Sequence, residues 1–292
     1  MPESQPPFDA PRVAIIGFGE AGSTFASAGG WEDAARAFDI APERKAVMDD
    51  CGVIACDSVA EAVAGAQLAL SLVTADKAIA AATSAASALP EGALFLDMNS
   101  VAPETKRRAA AAIGAAYVDV AVMAPVDPAR LNVPLLVAGP QAERAVGLLN
   151  ALGFAKTRVV GDTIGQASAI KLCRSVMVKG LEALTAEMVL AASEAGVLDE
   201  VLASLDASEK HMSWRERADY NLDRMLQHGK RRAAEMAEAA AMLRDLGIDP
   251  LMTDNTVRRQ QQLGNLGLAP QPESLEGKLA AIANNDLGKE SA

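Results

Sequence analysis

Cysteine is scarce in this 292-residue chain, and the three present, Cys51, Cys56 and Cys173, cannot all pair within one molecule. Their spacings match no redox or zinc pair, which excludes a disulfide scaffold and points to a reducing compartment. Histidine is scarcer still. His211 and His228 stand too far apart for a ligand pair on one helical turn, so no metal is expected. Positive charge is in deficit, with 27 Lys and Arg against 38 Asp and Glu for a net −11, which removes any general affinity for nucleic acid or an anionic membrane surface. No apolar run is long enough to span a bilayer. Met1 to Ala10 carries Glu3 and Asp9 but lacks the basic and apolar regions of a secretory signal. The expectation is a soluble, cytoplasmic protein with no membrane or nucleic-acid partner.

The residues that are abundant are small and apolar. Hydrophobic residues make up 50% and charged residues 22%, a globular balance, and the length favours two domains. From Arg12 to about Val160, short apolar runs alternate with Ala-rich helical stretches. Val13 to Ile16, Ala34 to Phe38, Leu68 to Val73, Leu94 to Leu96, Ala116 to Val120, Leu135 to Val137 and Thr157 to Val160 read as strands. Pro42, Pro103 and Pro140 sit where helices would begin. This alternation predicts a doubly wound α/β domain, its parallel sheet covered on both faces. After Gly165 the strand signals vanish: Ser168 to Glu194 and Leu198 to Gly247 are helical in pattern, and from Gly264 a short helix and a loose end are expected. Two glycines flank Asp162-Thr163-Ile164, which sets the domains at 1–163 and 164–292.

The first strand runs into Gly17-Phe18-Gly19-Glu20-Ala21-Gly22, a GxGxxG turn with a helix predicted from Ser23. Gly17 permits the tight turn, Gly19 lets the backbone approach a pyrophosphate, and Gly22 lets helix and strand pack closely. Asp39 follows at the end of the next strand, at the offset from which a carboxylate accepts both hydroxyls of an adenosine ribose. Strand, glycines and acid together predict a dinucleotide site for NAD or NADP. Asp39 favours NAD because it repels a 2′-phosphate, while Arg44, five residues on, is placed to meet one.

At the start of the long helix, Ser168, Lys171, Arg174, Ser175 and Val178 share one face. Ile170, Leu172 and Cys173 surround Lys171 in sequence, so a partly desolvated amine is expected, usable as an acid or base near neutrality. Spacing alone is equally that of a lysine snorkelling to water.

These segments resemble the beta-hydroxyacid dehydrogenase family, which includes 3-hydroxyisobutyrate and 6-phosphogluconate dehydrogenases, over about Arg12 to Pro250. The resemblance implies a Rossmann domain followed by an all-α domain, with a small-molecule substrate in the cleft between them and a homodimer formed through the C-terminal helices. Gly165 to Lys171 is similar to the family's GxGxxxK segment, which implies that Lys171 is the catalytic lysine. Ala167 replaces the second glycine, and Arg174 and Ser175 stand where the family has substrate-holding asparagines. Val73 and Thr74 match the loop against the adenine ribose, and Ser100 matches a threonine near the nicotinamide ribose. Ser100 also reads as an N-cap before Ala102-Pro103. Met123 takes the place of a substrate-binding serine, and reads as either a core methionine or a pocket wall. Lys230 and Arg231, near the family's late lysine, imply a hold on an anionic substrate group, although a solvated or subunit-facing helix explains them equally well.

The resulting expectation is an NAD(P)-dependent oxidoreductase moving hydride to or from a secondary alcohol or hydroxyacid carbon. An imine or ketone reductase of the same architecture, and a non-catalytic dinucleotide sensor, are its rivals.

Overall fold

The computed structural model describes residues 11–209 and 211–285; Met1 to Ala10 and the expected loose end after 285 lie outside them. The chain divides into two compact units, Met1–Val176 and Met177–Ala292.

The first unit is a Rossmann-like sheet of eight strands in the order β3-β2-β1-β4-β5-β6-β7-β8. The strands are β1 (Val13–Ile16), β2 (Ala35–Phe38), β3 (Ile54–Ala55), β4 (Leu68–Ser71), β5 (Leu94–Asp97), β6 (Tyr117–Val122), β7 (Leu135–Ala138) and β8 (Thr157–Gly161). Alternating residues sort to opposite faces, as the two-residue period requires. Val13, Ile15, Leu68, Leu70, Leu94 and Leu96 pack with Phe25 and Ala26 of α1 (Glu20–Gly29), Met48 of α2 (Arg44–Asp50) and Leu149 of α6 (Ala142–Ala151). Ala14, Ile16, Ala69 and Phe95 face the other way. They pack against α3 (Val59–Val63), α4 (Ala78–Ala86) and α5 (Pro103–Ile113), whose own contribution is largely alanine. Small side chains on both partners let these helices lie close to the sheet.

The structure departs from the sequence-based expectation in several places. The sheet is mixed and not wholly parallel: β7 runs antiparallel to β6, because a loop without a crossover α-helix joins them. The two-residue β3 is too short to leave a periodic signal. Val73 and Thr74 lie past the end of β4, and α1 begins at Glu20, three residues before Ser23. Pro103 does open α5, whereas Pro42 and Pro140 each precede their helix by two residues.

The helix α7 (Gln166–Glu194) spans the division between the units, so its first turns, with Lys171, belong with the sheet. The second unit continues with α8 (Leu198–Ser208), α9 (Trp214–Asp245), α10 (Leu251–Gly264) and α11 (Leu275–Asn284). Ser213 and Glu216 form a capping box that starts α9. Glu187 of α7 accepts from the backbone N–H groups of Met252 and Thr253 at 2.8 and 2.9 Å, capping α10. Helices α9 and α10 touch through glycine: a Cβ on Gly229 would sit 2.3 Å from the Gln260 carbonyl oxygen, and one on Gly264 would sit 2.5 Å from the Lys230 nitrogen.

Candidate functional site

The turn after β1 is built as its glycines require. Gly17 has φ of +92°, and a Cβ there would lie 2.6 Å from the Leu72 carbonyl oxygen, so neither the backbone nor the space admits another residue. A Cβ on Gly22 would lie 2.6 Å from the Gly17 carbonyl oxygen, which is the close helix-to-strand approach. At Gly19 the added carbon would meet nothing within 4 Å. Gly19 therefore faces open space, and no side chain caps the first turn of α1. Its N–H groups and the helix dipole are left for an anion.

That open space is a cleft of about 300 Å³ confined to the first unit. Of the sequence-predicted cofactor residues, Gly17, Gly19, Asp39, Val73 and Thr74 line it. Phe18 and Gly22 are buried beneath, and Glu20 and Ala21 lie in the first turn of α1. One oxygen of the Asp39 carboxylate accepts from the Phe18 N–H at 2.6 Å and the other from the Ala41 N–H at 2.9 Å, which ties the acid to the glycine turn. Arg44 is not among the lining residues, but Lys77, which sequence reasoning missed, is. Its amine lies 3.2 Å from the Asp76 carboxylate. The signal for Lys77 was only its place three residues after Thr74.

At the end of β5 lies the second part of the site. Lys171 Nζ donates to Ser100 Oγ at 2.6 Å, bringing together two predicted residues 71 positions apart. Lys171 is partly buried, and this hydrogen bond is open to water. Ile170 and Cys173, its apolar sequence neighbours, project to other sides of α7 and are themselves exposed.

Beneath Ser100 and Lys171 lies a buried network that the sequence did not reveal. Lys106 of α5 is fully buried, and its amine donates to the Asp97 backbone carbonyl at 2.6 Å and to the Asp97 carboxylate at 3.0 Å. Asp119, also fully buried, lies 3.3 Å from the same amine. The outer oxygen of Asp119 accepts from the N–H groups of Gly165 and Ser168 at 3.0 and 3.1 Å, where α7 begins. Two carboxylates thus share one ammonium, and the helix terminus compensates the remaining negative charge. Tyr117 donates its hydroxyl to Asp97 at 2.7 Å; burial first, and then that carboxylate, holds the phenol protonated far above its usual range. Asn99 completes the group, its N–H donating to Asp97 and its amide to Ser71 Oγ, both at 2.9 Å. The network fixes the segment carrying Ser100 to the helix start carrying Lys171. A Cβ on Gly165, at φ +99°, would stand 3.0 Å from Pro103, so this joint is also closely packed.

The remaining predicted residues are dispersed. Met123 packs on Ala121, Leu136, Ala138 and Ala167. Arg174 is exposed on α7 and Ser175 half-buried. Lys230 and Arg231 belong to the second unit, where with His228 they line a separate cavity of about 620 Å³; Arg231 also pairs with Glu235. Among the described residues no cluster of His, Cys, Asp and Glu could hold a metal, and no helix is long and apolar enough to cross a membrane.

Residues 12–161 match the NAD binding domain of 6-phosphogluconate dehydrogenase, and residues 192–263 match a domain of unknown function, DUF1932. A conserved hypothetical protein from Sinorhizobium meliloti 1021 is 36% identical, covering 94% of this chain and 96% of its own with a TM-score of 0.60. A protein of unknown function described as structurally similar to 3-hydroxyacid dehydrogenases is 31% identical over 87% of this chain and 97% of its own, with a TM-score of 0.59. A variant of the imine reductase from Myxococcus stipitatus, in complex with NAD+, is 20% identical over 93% of this chain and 99% of its own, with a TM-score of 0.72.

Proposed function

Because the chain belongs to the beta-hydroxyacid dehydrogenase-like family, with its NAD-binding domain, we propose that it oxidises or forms a secondary alcohol or hydroxyacid, with Lys171 as the acid and base. The observation that carries this reading is the 2.6 Å bond from Lys171 to Ser100, beyond the C-terminal ends of the parallel strands, as the glycine turn is.

The cleft fits a dinucleotide: Gly19 opens onto it, the first turn of α1 lacks a side-chain cap, and Asp39 lines it. Gly17 to Gly22 would hold the pyrophosphate, with Asp39, Val73 and Thr74 beside the adenosine. When bound, the nicotinamide supplies the carbon that accepts or donates hydride. In oxidation the neutral Lys171 amine takes the hydroxyl proton; in reduction the ammonium returns it. Because Lys171 donates to Ser100 Oγ, the serine's own proton is left to a substrate oxygen or the ribose. Asp39 supports NAD over NADP by charge repulsion.

Met123, Arg174 and Ser175 remain our substrate candidates in the first unit. In the second unit, Lys230 and Arg231 would hold an anionic group by charge-assisted hydrogen bonds. The homodimer rests on an exposed apolar stripe of α7, which includes Val176, Met177, Leu181, Leu184 and Leu190. Three free cysteines support a reducing cytoplasm.

A panel of hydroxyacids and secondary alcohols with NAD+ or NADP+, followed by the absorbance of reduced nicotinamide, tests the reading. Turnover of one class supports it. Turnover confined to imines or ketones would transfer the assignment to the reductase alternative, and cofactor binding with no turnover of any class would leave a sensor.

A further inference from the structure

We propose that the second unit carries a binding pocket for a compact oxyanion that also bears a hydroxyl, distinct from the Lys230 cavity of the same unit. The pocket has a volume of about 290 Å³ and is lined by Tyr220, Asn221, Arg224, Met225 and Arg232 of α9 and by Gln260 of α10. At 100° per residue all five α9 residues fall on one side of that helix, so Tyr220, Asn221, Arg224 and Arg232 present their polar ends on the same side.

Three features give the pocket its chemistry. No Asp or Glu lines it, although the chain carries 38 acids. Several other cations of this unit are matched: Lys278 pairs with Asp219 and Asp223, Arg244 with Asp254 and Arg231 with Glu235. Arg224 and Arg232 have no such partner among the described residues. Finally, the pocket residues contain one buried donor and one buried acceptor without a hydrogen bond, Arg232 Nε and Gln260 Oε1. Gln260 is only 8% exposed. Buried polar atoms are paired in folded proteins, so two orphans of opposite type in one pocket call for a ligand with both an acceptor and a donor. An oxyanion satisfies the guanidinium groups, for which a planar carboxylate or a phosphate is the natural fit. A hydroxyl within the same molecule satisfies the Gln260 oxygen. Small hydroxycarboxylates and monohydrogen phosphate share this chemistry.

The test is calorimetric titration of the full chain, without nicotinamide, using inorganic phosphate, lactate and acetate as probes. Binding of phosphate or lactate at one site, at least about tenfold tighter than acetate, is expected, the factor being that of one added hydrogen bond. Phosphate alone would identify a phosphate group, and lactate alone a hydroxycarboxylate. Arg232→Gln should weaken binding about tenfold or more, as loss of a charge-assisted bond does. Arg224→Gln, which breaks no hydrogen bond or ion pair among the described residues, should do so without changing the melting temperature of the ligand-free protein. Failure of both probes to bind, binding no tighter than acetate, or Arg224→Gln binding as well as the parent would overturn the proposal. The assay uses neither cofactor nor turnover, so its failure is distinct from failure of the Lys171 reading.

Discussion

Lys106 shows how far one residue's role depends on neighbours remote in sequence. In Thr105-Lys106-Arg107-Arg108 it reads as part of a solvated basic face, yet it is buried between Asp97 and Asp119, which come from two different strands. Removing the ammonium leaves two carboxylates buried without their cation. Lys106→Met should therefore cost about 3–5 kcal/mol in stability, measured by urea unfolding; a loss within error of zero would deny the network its structural weight. Lys171 is the converse case: its helical face and segment single it out, and the fold sets it beside Ser100. Its proposed chemistry sets opposite pH limbs. Oxidation needs the neutral amine and reduction the ammonium, so kcat/KM should climb with pH in the first direction and fall in the second. Parallel limbs in both directions would contradict a proton exchanged at this amine.

At the scale of elements, legibility followed the strength of local rules. The turn from β1 into α1 was readable because Gly17 and Gly22 each answer a steric demand that only glycine meets, while Gly19 leaves the cleft open. The start of α5 was readable from Pro103, and the helical half from the loss of strand patterns. The direction of β7 was not readable: alternation of side chains is the same in parallel and antiparallel strands, and only the connection from β6 decides. The crossing of α9 and α10 through Gly229 and Gly264 was equally hidden, since a glycine inside a helix reads locally as a weakness. Here it is a contact surface. Gly229→Ala would push a carbon into the Gln260 backbone and should destabilise the second unit by about 1–3 kcal/mol. A thermal melt unchanged by the substitution would show that the two helices part without cost.

At the scale of the whole molecule, the acidic charge balance and the two-unit organisation were legible from composition and texture, whereas the pocket on α9 and α10 emerges only when helices distant in sequence are packed. The exposed apolar side chains of α7 are a demand the isolated chain leaves unmet, and a second copy is the proposed cover. Sedimentation should give a dimer at micromolar concentration, and Leu181→Glu should shift it toward monomer. A parent protein that sediments as a monomer would remove the dimer from the account.

The central claim is that the lysine beside Ser100 exchanges the substrate's proton, and comparing parent and Lys171→Ala enzymes on the substrate found by the panel tests it most directly. With NADH fluorescence confirming unchanged cofactor affinity, turnover should fall by about 10²–10⁴-fold, the usual contribution of a positioned acid or base. A variant that binds NADH normally and turns over at the parent rate would contradict the account.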